Sequence, residues 1–472
     1  MKINQLILIL PELTLTMLAL LSQLSAVIFN NKKNLIINLT IIFAGLITFG
    51  TLYFCRAEII GFNNSFATNY TTSICKALVL IFSLSSIIIY KDYCRIADKE
   101  LKNEFATLIL FSTLGIFITI SSRNFLLLFC GMELQALTAY VLAGFDLKSS
   151  KSSEAALKYF ILGALISCLT LFGISFVYGF GGSLEFKHIL QALNQQSAIN
   201  IGLIVGIILF LGGTFFKLAA VPLHMWAPDV YEGAPITSVI YFTTASKIGI
   251  VAVLINIVTY IIGDYKQISV DLIKIIAVLS MLVGAGGAIR QKSLKRLMAY
   301  SSILNIGYVL IGVVLHNAQG NFAALQFTLI YAVSVLGFFA CLITILGSKA
   351  NEANFNDIRG VAANHKVLAA IIAIIMFSLI GLPPLAGFFG KYYIFYQAII
   401  DREFLLAFIA ISTSVVAAYY YLKVIKTMYF LEVEVTGQEE VLEAKPKCCG
   451  LLLINYITLA FIVLFSLLFF YN

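Results

Sequence analysis

The chain has 472 residues, of which 61% are hydrophobic and only 11% are charged, whereas an ordinary soluble protein has roughly 25% charged residues. The mean hydropathy is +0.98 and apolar runs of about twenty residues recur throughout, which excludes a soluble enzyme and predicts a polytopic, all-α membrane protein. The net charge of +8 is interpreted as loop charge that orients helices in the lipid bilayer rather than as a surface for nucleic acid.

The hydrophobic pattern predicts fourteen transmembrane segments that form one membrane domain over 1–472. The longest polar stretch, 431–448, is too short for a soluble domain. In chain order the predicted spans are 5–29, 34–54, 74–90, 104–121, 124–143, 156–180, 201–230, 235–262, 270–289, 297–316, 321–347, 366–399, 403–430 and 449–471.

Lysine and arginine are distributed unevenly between the two ends of the predicted spans. Loops after odd-numbered spans hold nineteen of them, and loops after even-numbered spans hold seven. Because cytoplasmic loops carry the excess of positive charge, the odd-numbered loops are predicted to face the cytoplasm. Both termini are then expected on the periplasmic side of a bacterial inner membrane, with a mitochondrial inner membrane as the alternative location.

When Lys2 and the cations assigned to loops, Lys76 and Lys295 among them, are set aside, four lysines remain inside apolar spans. Among the acids only Glu133 lies near the centre of a span, and Glu12 is nearer a helix start. The five deep residues are Glu133, Lys158, Lys217, Lys247 and Lys391. A charge at mid-membrane costs about 2.5–3.5 kcal/mol on insertion scales, so such residues face the bundle interior and usually mark an ion or proton path. The alternative is that a lysine near a helix end extends to the interface. It is strongest for Lys158, which lies near the start of its span and four residues after Glu154.

The chemistry of these side chains favours proton transport over covalent catalysis. A lysine removed from water releases its proton more readily, whereas a nearby carboxylate holds the proton on. A helix that moves the carboxylate toward or away from the lysine would therefore make the lysine bind or release a proton. No span carries Asp, Glu and His as a metal-ligand set, and the eight cysteines form no CxxC pair, so the sequence predicts neither a metal site nor a haem attachment.

Proline interrupts the seventh predicted span, in FLGGTFFKLAAVPLHMWAPDVYEGAP at 210–235. Pro222 cannot donate to the carbonyl of Leu218, so the helix must kink or unwind there. His224 follows Lys217 by two turns, and the two would share a face if helical phase were kept. His224 is therefore interpreted as a proton relay beside Lys217, or alternatively as a hydrogen-bond donor to freed backbone carbonyls.

The twelfth predicted span is interrupted in the same way, in FSLIGLPPLAGFFGKYYIFYQAI at 377–399. Pro383 and Pro384 break it, and Lys391 lies in the half-helix beyond. Broken helices at membrane depth are tolerated where they line a polar cavity, and a matched pair of them indicates a transport site. A kink that serves packing alone is the alternative.

The positions of the two breaks suggest an internal duplication. Spans 4–8 and 9–13 are interpreted as two inverted five-helix repeats over 104–262 and 270–430, each broken in its fourth helix. Helices 1–3 in 1–103 precede them and helix 14 in 449–472 follows. The second helix of the first repeat carries Glu133, whereas its counterpart offers only Ser301, Ser302 and Asn305.

Four segments resemble the antiporter-like membrane subunits of respiratory complex I, the proton-translocating NADH–quinone oxidoreductase. They are KLAAVPLHMWAPDVYEGAP at 217–235, SKIG at 246–249, LMAYSSILNIGY at 297–308 and GLPPLAGFFGKYYIF at 381–395. The resemblance covers essentially the whole chain and includes the number of spans. The DVYEG of 229–233 is the form found in the N-type subunits, whereas the M and L types and the Mrp-type cation/proton antiporters vary there.

The resemblance implies a role for each buried charge. The essential glutamate of the family falls on Glu133, its broken-helix lysine on Lys217, its helix-8 lysine on Lys247 and its helix-12 lysine on Lys391. A helix-6 lysine and a histidine of the family match Lys158 and His224, which are assigned supporting roles. Asn305 departs from the pattern, since many relatives carry histidine there.

The resemblance also implies partners and cofactors. FMN, the iron–sulfur clusters and the quinone site are expected in other subunits, with no cofactor in this one. The expected partners are the neighbouring antiporter-like subunit M and the small subunits K and J. The implied function is coupling of electron transfer from NADH to quinone to proton pumping. An Mrp-type cation/proton antiporter subunit and a structural membrane scaffold are the alternatives.

Overall fold

The computed structural model describes residues 3–29, 32–53, 58–195, 201–261, 266–431 and 449–470. Helices dominate this part of the chain. The described part of the first hundred residues forms four helices: α1 (Ile3–Leu8), α2 (Leu10–Ile28), α3 (Lys33–Tyr53) and α4 (Tyr70–Ile96). A short antiparallel hairpin of β1 (Ile59–Gly61) and β2 (Phe66–Thr68), with Ile60 opposite Ala67, connects α3 to α4.

The remaining helices follow in two groups that match the predicted repeats in extent. The first group is α5 (Asn103–Ser121), α6 (Phe125–Ala143), α7 (Ser150–Gly181), α8 (Phe186–Gln195), α9 (Ile201–Leu218), α10 (Trp226–Gly233), α11 (Ile236–Thr243) and α12 (Ala245–Ile261). The second is α13 (Lys266–Ile289), α14 (Leu294–Val314), α15 (Ala318–Leu346), α16 (Val361–Asn364), α17 (Lys366–Ile380), α18 (Ala386–Ile400) and α19 (Phe404–Phe430), followed by α20 (Cys449–Phe470). Two 3₁₀ turns, Gly347–Glu352 and Asn356–Ile358, lie between α15 and α16.

Every predicted span coincides with a helix or a broken pair of helices in the described residues. Twelve of these elements, with α11 and α12 taken together, are long and apolar enough to cross a membrane. The predicted span 12 corresponds to two shorter helices, α17 and α18, and the predicted span 14 corresponds to α20, of which Cys449–Phe465 is an apolar helix. The all-α membrane fold is therefore confirmed, while the inverted symmetry of the two groups stays a prediction.

Polar side chains at the helix starts explain several boundaries. The Asn69 side chain accepts the backbone N–H of Thr72, whose hydroxyl accepts the Asn69 N–H, and this capping box begins α4. Asn124, Ser149 and Ser293 accept backbone N–H groups at the starts of α6, α7 and α14. Each cap satisfies donors that have no partner within the helix, so the helices begin at defined residues where the chain turns.

The most buried helices are α11, α12 and α14, and α12 carries Lys247, whereas α2 and α3 expose most of their surface. Close packing positions α6: a Cβ atom at Gly115 of α5 would lie 2.7 Å from the carbonyl oxygen of Gly131. The backbones of α5 and α6 therefore touch where only glycine fits.

Lys76 and Glu12 form a buried ion pair that the sequence did not predict. Lys76 was predicted to be a loop charge and Glu12 to lie near a helix start, but Lys76 Nζ lies 2.5 Å from Glu12 Oε1 and the two residues are 1% and 7% exposed. Glu12 lies in the first turn of α2, as expected, but it is a buried acid in addition to the partly buried Glu133, and Lys76 is a buried cation rather than a loop charge. The pair joins α2 to α4 and lies in helices that carry none of the predicted site residues.

Candidate functional site

The first break opens the backbone beside Lys217. Helix α9 ends at Leu218, residues 219–225 are not helical, and α10 begins at Trp226. Ala219 has φ of +58°, a conformation that is uncommon for residues other than glycine. In a continuous helix the Leu218 carbonyl would accept from residue 222, but Pro222 has no N–H. That carbonyl instead accepts the Lys247 Nζ at 2.5 Å.

The second break repeats this arrangement with two prolines. Helix α17 ends at Ile380 and α18 begins at Ala386. The carbonyls of Leu379 and Ile380 would pair with residues 383 and 384, both of which are proline. Lys391 Nζ donates to these two carbonyls at 2.8 and 3.0 Å. Each carbonyl whose helical donor is replaced by a proline thus accepts from a lysine.

Lys217 is held by the helix that carries Glu133. Its Nζ donates to the carbonyl of Met132 at 2.9 Å and to Gln135 Oε1 at 3.0 Å. The Glu133 carboxylate lies near enough to act electrostatically on Lys217, although it accepts its own hydrogen bond from Ser167 Oγ at 2.5 Å. Glu133 and Lys217 therefore interact across α6 without a direct hydrogen bond between them.

Two side chains connect Lys217 with Lys247. Gln135 accepts from Lys217 and its Nε2 donates to Ser246 Oγ at 3.3 Å. Ser246 precedes Lys247, whose Nζ binds the carbonyl of Leu218, the residue after Lys217. Two sets of contacts therefore connect the lysines. One runs through Gln135 and Ser246, and the other is the hydrogen bond from Lys247 to the Leu218 carbonyl. Lys247 is only 2% exposed, so its ammonium lies inside the bundle rather than facing lipid.

A cluster of hydroxyl and amide groups lies beside Lys391. Ser414 Oγ accepts from its Nζ at 2.9 Å, and the Tyr308 ring lies 5.5 Å from the Nζ. Tyr308 Oη is 3.3 Å from Thr413 Oγ1. On the outer side, a cavity of about 430 Å³ reaches Lys391 between α18 and α19. Lys391 therefore has polar groups on one side and an open cavity on the other.

Helix α14 contributes buried polar residues to the second group of helices. Ser301 Oγ lies 2.6 Å from Tyr421 Oη. Asn305 Nδ2 donates to the Ser301 carbonyl at 2.8 Å, and the distance from Nδ2 to Tyr421 Oη is 3.4 Å. Both Ser301 and Asn305 are buried. The site thus continues from charged groups in the first group of helices to neutral hydrogen-bonding groups in the second.

Lys158 lies outside this buried chain. Its Nζ is 2.8 Å from Glu154 Oε1 and 2.9 Å from Asp229 Oδ2, and its side chain is 44% exposed. Asp229 also lies 3.0 Å from Arg296. The structure thus matches the interface interpretation of Lys158, in which the side chain extends to a surface network of ion pairs.

His224 does not share a helical face with Lys217. It lies in the non-helical segment between α9 and α10, so the helical phase that the prediction required is lost. Its ring is partly buried, and Nδ1 has no hydrogen-bond partner among the described residues. The prediction of a shared face is therefore wrong, because Pro222 unwinds the chain instead of kinking it.

Gln135 and Lys295 are two site residues that the sequence analysis did not single out. Gln135 lies two residues after Glu133, but its contact with Lys217 depends on how α6 and α9 pack. Lys295 was predicted to be a loop charge, yet it is 1% exposed and donates to the Ala234 carbonyl at 2.8 Å. Its position close to the start of a helix gave no signal of burial.

No group of three or more His, Cys, Asp or Glu residues within the described ranges could hold a metal ion. The site consists of ammonium groups, one carboxylate, hydroxyls and backbone carbonyls. Such groups can bind, hold and pass protons when they are linked by hydrogen bonds. The geometry therefore suits ion or proton transfer within the bundle.

Comparisons with known proteins agree with this geometry. Residues 122–417 match the family described as NADH:quinone oxidoreductase/Mrp antiporter, TM. NADH-quinone oxidoreductase subunit N of Rickettsia felis is 61% identical over 460 residues, which cover 98% of this chain and 99% of the relative. The subunit N of Rhodospirillum rubrum is 37% identical over 426 residues, covering 90% and 87% of the two chains.

Solved structures share the fold. A chain of respiratory complex I from Thermus thermophilus superimposes with a TM-score of 0.78 at 26% identity, covering 96% of each chain. A chain of the Mrp complex from a Dietzia species superimposes with a TM-score of 0.82 at 18% identity, covering 99% of this chain and 96% of that one. The fold alone is thus common to both kinds of complex, and sequence identity separates them. The chain belongs to the NADH-quinone oxidoreductase subunit N family, the antiporter-like membrane subunits of complex I.

Proposed function

We propose that this subunit carries protons across the membrane through Glu133, Lys217, Lys247 and Lys391 while other subunits transfer electrons from NADH to quinone. The observation that supports this most is the pairing of buried lysines with proline-freed carbonyls at both breaks. Such a carbonyl stabilises an ammonium without neutralising it, so the lysine can both hold and release a proton.

The first group of helices would load the proton. Glu133 acts on Lys217 through space, and Lys217 and Lys247 are joined through Gln135 and Ser246. A small displacement of α6 would change the distance between carboxylate and ammonium, which shifts the proton from Lys217 toward Lys247. Lys391 would exchange the proton with one side of the membrane through the hydroxyl groups beside it, Ser414 and Thr413, since the adjoining cavity is lined mainly by apolar side chains.

The supporting residues have different positions and therefore different proposed roles. Lys158 would orient the charge network of Glu154 and Asp229 rather than carry a proton. His224 would bind water in the open segment between α9 and α10, since its Nδ1 is buried without a partner among the described residues. Water there could reach Lys217.

The remaining features of the proposal follow from sequence and family. The loops after odd-numbered spans would face the cytoplasm of a bacterium, with both termini periplasmic. FMN, the iron–sulfur clusters and the quinone would be bound by other subunits. Subunits M, K and J would be the neighbours in the membrane. Co-purification of flavin and iron–sulfur absorbance with the tagged chain would distinguish this assembly from an Mrp-type antiporter.

Replacement of Glu133 by glutamine tests the function directly. The change keeps the shape and can keep the Ser167 contact, but it removes the charge that acts on Lys217. We expect NADH-driven proton pumping in membrane vesicles to fall severalfold while the complex still assembles. Glu104→Gln, at an exposed position on α5, is the matched control and should pump normally. Pumping at the wild-type level in the Glu133→Gln variant would refute the proposed role.

A further inference from the structure

A polar cavity lies on the face formed by the loops after odd-numbered spans, which we call the odd-loop face. Its volume is about 500 Å³, and it lies between the α6–α7 loop, the end of α10, the start of α14 and the turns after α15. Four carboxylate residues line it: Asp146, Glu232, Glu352 and Asp357. We call this cavity the vestibule.

Charged groups of both signs line the vestibule. Lys99 Nζ lies 2.7 Å from Asp146 Oδ2, and this hydrogen bond holds the pKa of the Asp146 carboxyl below its usual range. Asp146 therefore stays ionised at neutral pH. Three lysines also line the cavity, Lys151, Lys295 and Lys349. Glu352 is paired with Lys151, and Glu232 is paired with Arg296. The vestibule is therefore a cavity of mixed charge in which water can deliver protons.

Lys295 forms part of the wall of this cavity, at the point where it meets the bundle. The residue is 1% exposed, and its Nζ makes one hydrogen bond to a described residue, to the Ala234 carbonyl at 2.8 Å. An ammonium has three N–H groups, so two remain for other acceptors. Glu232, Glu352 and Lys151 are the charged groups whose fields reach it. Lys295 thus lies between the charged vestibule and the apolar core.

Three buried hydroxyls continue inward from Lys295. Ser302 lies seven residues further along α14, on the same helical face two turns away. Its Oγ, the Oη of Tyr231 and the Oη of Tyr331 are all buried without a hydrogen-bond partner among the described residues, and both tyrosines lie within interaction distance of Ser302. Buried polar groups that converge without direct bonds are typical sites for internal water.

These three hydroxyls lie beside the polar residues of α14 that were described above. Ser301, beside Ser302, hydrogen bonds with Tyr421, and Asn305 joins the same pair. From the vestibule, the sequence of polar groups is therefore Lys295, then Ser302 with the two tyrosines, then Ser301 with Tyr421. This order runs from solvent toward the second group of helices, and water would have to bridge about 10 Å along α14 between Lys295 and Ser302.

We propose that Lys295 is a second proton entry point, through which protons pass from the vestibule to the hydroxyls around Ser302. The proposal rests on the proposed function and adds a route to it. The Lys295 amine takes a proton from water in the vestibule and releases it to water held by Ser302, Tyr231 and Tyr331. One N–H bond forms and then breaks, one proton moves inward, and no oxidant or other reactant is needed.

The competing interpretation is that Lys295 only clamps the backbone at Ala234. Lys295→Arg separates the two, because arginine keeps the charge and can donate to the Ala234 carbonyl but does not release a proton. A clamp would tolerate this change, whereas a proton carrier would not. Lys292→Arg, at an exposed position three residues earlier, is the matched control.

The experiment measures protons pumped per NADH oxidised in vesicles that contain the whole complex. We expect Lys295→Arg and Tyr231→Phe to lower this ratio at least twofold, with Lys292→Arg unchanged. Tyr231→Phe removes a hydroxyl that bonds no described residue, so it should assemble even if Lys295→Arg does not. In that case Tyr231→Phe and Ser302→Ala decide the outcome.

The result that would overturn the proposal is a wild-type ratio in Tyr231→Phe and Ser302→Ala, together with a wild-type ratio in Lys295→Arg if it assembles. Glu133→Gln is included to separate the two proposals. If Glu133→Gln fails to pump while these variants pump normally, the entry route is wrong and the proposed function stands. If Glu133→Gln also pumps normally, the proposed function itself is wrong.

Discussion

At the scale of single residues, the proposed proton path requires lysines that remain stable away from water. Lys247 and Lys391 are each stabilised by backbone carbonyls rather than by a carboxylate. A carboxylate partner would fix the proton on the lysine, whereas a carbonyl leaves the choice of protonation state open. Lys76 shows the contrasting case, because its direct partner Glu12 makes a buried ion pair.

The Glu12–Lys76 pair is predicted to be structural. Lys76→Met leaves Glu12 buried and uncompensated, and breaking such a pair costs about 3–5 kcal/mol. We expect a lower Tm for the detergent-solubilised complex, measured by the dissociation of this subunit. The double variant Glu12→Gln with Lys76→Met should recover most of the loss.

The exposed pair of Lys33 and Glu100, at 2.6 Å, provides the comparison. Exposed pairs contribute about 0–1 kcal/mol, so Lys33→Met should leave the Tm nearly unchanged. Equal losses from Lys76→Met and Lys33→Met would contradict the structural role of the buried pair.

At the scale of the element, the sequence predicted the spans and both breaks well, and the physical reason is simple. Hydrocarbon requires a run of about twenty apolar residues, and proline removes a helical donor wherever it stands. The sequence did not predict α8 or the β1–β2 hairpin. Both lie in connections between spans, where the requirement for an apolar run does not apply.

Side-chain partners were harder to predict than helices. The depth of Lys247 could be read from its span, but its acceptor, the Leu218 carbonyl, depends on the packing of α12 against the break. For Lys295 and Lys158, position along the sequence did not predict whether the side chain is buried or exposed. Lys295 near a helix start is buried, while Lys158 within a predicted span extends to the surface. Position along a span does not specify which face of the helix meets the bundle.

The breaks lead to a prediction about α9. Pro222→Ala restores an N–H that can bond the Leu218 carbonyl and so competes with Lys247. A hydrogen bond to a charged group is worth about 1.5–3 kcal/mol, which corresponds to about a ten- to hundredfold change in the rate of a transfer step that depends on it. We therefore expect NADH-driven pumping to fall strongly in vesicles.

Pro11→Ala is the control for this prediction. Pro11 lies in the first turn of α2, where proline interrupts no hydrogen bond of the helix. It should assemble and pump normally. Unchanged pumping in Pro222→Ala would show that the freed carbonyl is not required for proton transfer.

At the scale of the whole molecule, the helices differ in how much of their surface is buried: some form an enclosed core and others lie at the periphery. The helices that hold Lys247 and Asn305 are almost fully enclosed, while α2 and α3 face outward and flank an apolar groove of about 870 Å³. Such an outward apolar surface suits the bilayer and neighbouring membrane subunits. Of the charged residues of the proposed path, Lys247 and Lys391 are buried within the core, whereas Glu133 and Lys217 are partly buried.

The two groups of helices differ in how they provide polarity. The first uses Glu133 and Lys217, and the second uses Ser301, Asn305 and Tyr421 on one side and the hydroxyl of Ser414 beside Lys391. An inverted repeat would make these regions equivalent in backbone and different in chemistry. The first would then set the direction of proton loading, and the second would offer a neutral path to the exit.

The most direct test of the central claim is the proton gradient formed by reconstituted complex carrying Lys247→Met. Methionine preserves the apolar volume but cannot carry a proton from Lys217 onward. The control is Lys148→Met, at an exposed loop position. The account predicts that the Lys247→Met complex assembles and forms little or no gradient during NADH oxidation, while Lys148→Met forms a normal one. A normal gradient with Lys247→Met would contradict the account.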